Sequence, residues 1–293
     1  MSDQPRPDAK RITPANLLLA AAVVTVIQLV ALLITSQNIP VYTSVVDSTG
    51  PSYAPAGTSV AGSALNAALL VAFAFVLTLV LVWLLRRKMV LPFKLLVFGS
   101  VAFSAFVLTL VTAGQFAFDY LPAGLVLPVA YGVPAAVVAA IAYVIFVKNV
   151  NWVATAILAF VGAEVGSFFA VTLPTWTALA LPVAFAAYDM YAVFRGPLKA
   201  LVGTSQGIAL VGMSIRAGEF TLGLGDVVFY TLLPSLALFQ FYQAFGLLPA
   251  VLTIAAIDAG MVMTLYLLSK RRLLPGLPIP MLLGVLVVLR YLI

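Results

Sequence analysis

The stretch Thr221–Pro234, TLGLGDVVFYTLLP, sets one carboxylate, Asp226, behind two glycines and ahead of an apolar run. What that acid is for depends on the solvent around it. Of the 293 residues, 64% are hydrophobic and only 8% charged, with mean hydropathy +1.18. A soluble domain carries about a quarter charged residues. Apolar stretches recur from end to end, so most of this chain is solvated by lipid. The first, residues 15–35, is long enough to span a bilayer and too long for a signal-peptide core, so it reads as a retained span.

Apolar segments broken by charge or by Pro/Gly/Ser clusters fall at 15–35, 63–85, 95–113, 122–147, 152–172, 175–194, 221–244, 248–269 and 275–292. Positive charge tests this count. If the amino terminus is inside, the inner loops receive Arg6, Lys10 and Arg11, then Arg86, Arg87, Lys88 and Lys94, then Lys148. Further along they receive Arg195, Lys199, Arg216, Lys270, Arg271 and Arg272. Only Arg290, of 15 basic residues, falls outside. Losing or adding a span would scramble that alternation. The expectation is an all-α polytopic membrane protein of nine transmembrane helices, amino terminus inside and carboxy terminus outside.

The organisation expected is one membrane-embedded domain over residues 1–293. Spans one to six occupy 1–194, an inside loop 195–220, and spans seven to nine 221–293. The inside loop is Gly-rich, with a short strand expected in GIALVGM (207–213). The segment after the first span, NIPVYTSVVDSTGPSYAPAGTSVAG, reads as flexible surface on its Pro/Ser/Gly content. Pro128, Pro134, Pro182 and Pro234 read as kinks inside spans. The net charge of +6 is topology signal and attraction to anionic lipid, since basic residues are not clustered with aromatics as nucleic acid would require.

With neither Cys nor His in the chain, thiolate nucleophiles, imidazole bases and the usual zinc ligand sets are excluded. Carboxylates, amines and hydroxyls remain. Five of the nine acids lie in loops or the tail, and four lie within spans: Glu164, Asp189, Asp226 and Asp258. An intramembrane acid is costly unless buried in protein or functional. Asp189 precedes Arg195 by six residues, about 9 Å of helix, and Asp226 follows Glu219 by seven, about 10 Å. Those spans run antiparallel, so two consecutive helices bring a carboxylate to one level. Glu164 and Asp258 sit about 18 Å from the nearest inside charge. Hydrogen-bonded neutral acids in the bundle and a water or proton path both fit that pair. Two facing acids in a low-dielectric site share one proton. The ionised one can then activate water while the neutral one polarises a carbonyl.

Tyr188–Asp189 in the sixth span and Gly223–Leu224–Gly225–Asp226 in the seventh resemble the YD and GxGD motifs of the presenilin and signal-peptide-peptidase family. Pro275–Gly276–Leu277–Pro278 resembles its PALP motif, with glycine where the family has alanine. The resemblance covers the whole chain in span number, direction and motif order, and the short loops resemble archaeal members. It implies an intramembrane aspartyl endopeptidase of GxGD type, with Asp189 and Asp226 as the catalytic dyad. It further implies that Tyr188, Gly223, Leu224, Gly225, Pro275, Gly276, Leu277 and Pro278 shape the substrate cleft. Residues just before Asp226 would present a strand edge to an unwound substrate. The mechanism calls for no cofactor and no metal. The partners expected are transmembrane peptide substrates and the lipid bilayer, not nucleic acid, in the cell membrane if the chain is prokaryotic.

Two other readings stay open. An ion- or proton-coupled transporter would use midplane acids, Glu164 and Asp258, and relate two halves by a repeat that this sequence does not display. A type IV prepilin-peptidase-like aspartyl protease would carry a lysine soon after the aspartate, where Val227, Val228 and Phe229 stand.

Overall fold

Lipid cannot hydrogen-bond a peptide group, so each apolar segment must close its backbone bonds internally, and helices do this within one segment. The computed structural model describes residues 14–51, 53–147, 151–195, 214–217, 220–270 and 274–293. Among these the helices are α1 (Pro14–Thr49), α2 (Val60–Arg86), α3 (Val90–Tyr120), α4 (Ala123–Ala142), α5 (Asn151–Thr172), α6 (Thr175–Phe194), α7 (Leu224–Phe245), α8 (Leu248–Lys270) and α9 (Pro278–Leu292). A π-helical turn, Tyr143–Val147, extends α4. A hairpin of β1 (Ser214–Ala217) and β2 (Phe220–Gly223) precedes α7.

Among the described residues eight helices are long and apolar enough to cross a membrane, and the ninth, α9, is shorter at 15 residues. The protein is an integral, multi-pass membrane protein. The expected nine-span count matches these helices, with differences at several boundaries. The third span, expected at 95–113, runs from Val90 to Tyr120. The first span does not stop at residue 35, because α1 runs on through Pro40 to Thr49. Residues 38–49 belong to the segment expected as flexible surface. They are helical, and their hydroxyls are satisfied within the helix by donating to the preceding turn, as in Ser44 Oγ to the Val41 carbonyl (2.7 Å) and Thr49 Oγ1 to the Val45 carbonyl (2.8 Å). The seventh span begins at Leu224 rather than 221, since residues 220–223 pair as a strand. The ninth begins at Pro278, whose fixed φ suits a first helical position, leaving Pro275–Leu277 as a non-helical lead-in. The strand expected within 207–213 lies outside the described residues.

Helix α7 is the axis of the bundle. It touches α1, α5, α6, α8 and α9, and its residues from Phe229 to Leu238 are all buried. Close approach of α5 to α7 is set by small residues, as the GAEVGS setting of Gly162 and Gly166 suggests. A Cβ on Gly166 would stand 2.8 Å from the Val228 carbonyl oxygen and 3.0 Å from the Leu232 nitrogen, both backbone atoms that cannot step aside. Thr231 Oγ1 stands 3.2 Å from the Gly162 carbonyl across the same contact, sharing its proton with the Val227 and Val228 carbonyls of its own helix. Glycine here therefore fixes how deep α7, and with it Asp226, sits in the bundle.

Gly166→Ala is expected to lower the melting temperature in detergent, with a cost of about 1–3 kcal/mol from overpacking. Gly99→Ala on α3, where a Cβ would meet nothing within 4 Å, is expected to leave it level or slightly raised. Thermal unfolding of the two variants side by side checks this.

Candidate active site

The site forms where three chain segments end or bend together. β1 and β2 pair antiparallel with Ser214 opposite Gly223 and Arg216 opposite Thr221, which delivers β2 straight into the first turn of α7. Gly223 caps that helix, and its amide donates to Asp226 Oδ2 at 3.2 Å. This is the acid's half of a capping box: a side chain three residues into the helix reaches back to the cap amide. The bond holds the Asp226 carboxylate over the strand–helix junction. Among the described residues, each strand of this two-stranded sheet also keeps one unpaired edge.

Asp189 comes from the last turns of α6. Its Oδ2 accepts the Leu277 amide at 3.1 Å. The residue before, Gly276, faces the other acid: a Cβ there would meet Asp226 Oδ2 at 3.4 Å. The Pro275–Pro278 turn therefore touches both carboxylates, bonded to one and packed on the other, and the two acids lie within electrostatic range of each other. Both are half-buried, so neither is sealed from the space beside the turn.

The remaining residues singled out in the sequence are distributed around this centre. Gly225 is exposed with open space beside it, while Leu224 is half-buried and packs on the core. Pro275 and Leu277 are buried, and the Leu277 side chain belongs to the main apolar cluster. The Leu277 amide is given to Asp189. Tyr188 donates its hydroxyl to Thr78 Oγ1 on α2 at 3.1 Å and sets its ring edge-on to Phe75 and Phe185. It ties α6 to α2.

Glu164 and Asp258 bind elsewhere. Glu164, fully buried, accepts from Thr109 Oγ1 of α3 at 2.8 Å, and Asp258 accepts from Thr25 Oγ1 of α1 at 2.6 Å. Each is held by a threonine on a neighbouring helix. Among the described residues no group of three or more His, Cys, Asp or Glu could hold a metal ion.

One participant was not singled out from sequence. Tyr230, buried on α7, donates its hydroxyl to the Gly276 carbonyl at 3.2 Å and so grips the turn between the acids. It follows Asp226 by four residues, which puts both on one helix face, and that spacing was the available signal.

The chain is also similar to known proteins. It is 41% identical over 125 residues to Presenilin-B of Dictyostelium discoideum, a stretch covering 39% of this chain and 25% of that protein, so it matches only a quarter of that relative's length. Its fold resembles a solved presenilin family intramembrane aspartate protease, with TM-score 0.61 over 94% of this chain and 97% of the other at 20% identity. A presenilin family profile matches residues 10–208, which takes in α1 to α6 and Asp189. By that match over more than half its length, the chain belongs to the presenilin family.

Proposed function

We propose that this protein is an intramembrane aspartyl endopeptidase of GxGD type that hydrolyses peptide bonds of transmembrane segments. The observation that carries the reading is the meeting of Asp189 and Asp226, from α6 and α7, against one short turn. Family membership and the likeness in fold support it. The midplane acids that a transporter would use are each bonded to a threonine instead.

In this reading the two acids share one proton. The ionised carboxylate takes a proton from water as its oxygen bonds to the scissile carbonyl carbon, and the neutral acid protonates the carbonyl oxygen. The tetrahedral adduct then collapses. Its C–N bond breaks as the leaving nitrogen takes the proton from one acid, and a hydroxyl of the adduct returns its proton to the other as the C=O bond re-forms, so the dyad keeps the single proton it began with. The amides of Gly223 and Leu277 each hold one oxygen of an acid, which fixes the direction of the others. A helical peptide bond is shielded, so the substrate must extend before cleavage, and the unpaired edge of β2 offers it backbone partners.

Asp189→Ala and Asp226→Ala are each expected to lower cleavage of a model transmembrane peptide by at least about 100-fold, and the double variant by no more than the worse single one. Retained turnover in either single variant would refute the dyad. The pH–rate profile is expected to be bell-shaped. It falls in acid as both groups become protonated and in alkali as the shared proton is lost, so a rate still rising into strong alkali contradicts the mechanism.

At Gly276, next to Asp226, the cost should grow with side-chain size. Alanine reaches ordinary contact distance and valine presses further on the carboxylate. Specific activity is expected to hold with alanine and fall with valine, and a valine variant as active as the parent would remove the turn from the site.

A further inference from the structure

Pro234 lies four residues after Tyr230 inside α7. A proline has no amide hydrogen, so the Tyr230 carbonyl loses its helical partner. That carbonyl is deep in the bundle, where an unpaired acceptor is costly. Gln28 of α1 fills the gap, its Nε2 donating to the Tyr230 carbonyl at 3.3 Å, and its side chain is fully buried in doing so. The other end of Tyr230 is equally committed, the hydroxyl donating to the Gly276 carbonyl at 3.2 Å. The other end of that same peptide group, the Leu277 amide, donates to Asp189 at 3.1 Å.

We infer that Tyr230, and through it Gln28, are positioning residues that hold the Pro275–Leu277 turn in place so that the Leu277 amide stays on Asp189. The inference rests on the aspartyl-protease reading and adds a line of control running from α1 to the dyad. The proline thereby exchanges a bond inside α7 for a bond to α1. Without the proline, α7 would satisfy itself and α1 would have no hold on Tyr230. Without the hydroxyl, the Gly276 carbonyl is released and the turn can slide along the face of α7. Neither residue touches the reacting atoms, so the effect should fall on turnover rather than on substrate affinity.

The test is cleavage of a model transmembrane peptide by the purified full-length protein, with active sites titrated by a tight-binding aspartyl-protease transition-state inhibitor so that misfolded protein is not counted. Tyr230→Phe is expected to lower kcat per active site by about 10- to 100-fold, with KM within about twofold, the size of effect seen when a catalytic group is misplaced by about an ångström. Gln28→Leu, close in shape and without the donor, is expected to lower kcat by a smaller factor of about three to ten. Repeated in a Pro234→Ala background, where residue 234 regains an amide for the Tyr230 carbonyl, the Gln28→Leu effect should shrink to under about twofold. An equal Gln28→Leu loss in both backgrounds would overturn the link to α1. Parent-like kcat in Tyr230→Phe would overturn the positioning role. If Tyr230→Phe does not fold, the Gln28 and Pro234 pair decides alone. Asp189→Ala, run alongside, separates the two failures. Activity there overturns the two-aspartate reading itself, whereas its inactivity beside a parent-like Tyr230→Phe overturns only the positioning.

Discussion

The Leu277 amide can reach Asp189 only because the end of α6, the start of α7 and the approach to α9 come together at one level of the bundle. Each of those segments is free to bond there for a local reason. Pro278 starts α9 and leaves Leu277 outside the helix, so its amide is not drawn into a helical ladder. Gly223 ends β2 and caps α7, which frees its amide for Asp226. Asp189 lies in the last turns of α6, near the helix end. The site is built from backbone groups at element boundaries, the places where a membrane helix has polar atoms to spare.

Depth is the second condition, and it is set by packing rather than by polarity. Helix α7 can sit at the axis because α5 offers Gly166 to its backbone and α8 offers Gly260 to Pro280 of α9, with a would-be Cβ only 2.7 Å from the Pro280 Cα. Between helices in lipid there is little hydrophobic drive, so such close backbone approaches and buried hydrogen bonds carry much of the association. Glu164 to Thr109, Asp258 to Thr25 and Gln28 to Tyr230 are bonds of this kind, and each joins two different helices.

What could be read from sequence follows the same division. A charge in an apolar run stands out against its background, so Asp189 and Asp226 were visible, and helix rise alone put them at one level. Span count was visible because basic residues alternate with the apolar segments. The carboxy-terminal part of α1 was not, because Ser, Thr and Pro in a run read as loop, whereas here the hydroxyls bond back onto the helix. The strand character of residues 220–223 could be anticipated only through the family resemblance, since four residues carry too little periodicity. Gln28 and Tyr230 were missed for a different reason. A single amide or phenol is tolerated almost anywhere in a span, and nothing local marks Pro234 as needing a donor from a helix some 200 residues earlier in the chain.

The length of α1 has a consequence for the surrounding lipid. Its 36 residues rise about 54 Å, against a hydrocarbon thickness of about 30 Å. A helix that long must tilt, kink or carry one end out of the lipid. Asp47, Ser48 and Thr49 are polar and exposed, which suits an end standing among head groups or water. Gln28, beside Tyr230, lies about 31 Å from that end along the helix. A polar post thus stands on the side of the membrane away from the two aspartates, and whatever approaches from there meets it first.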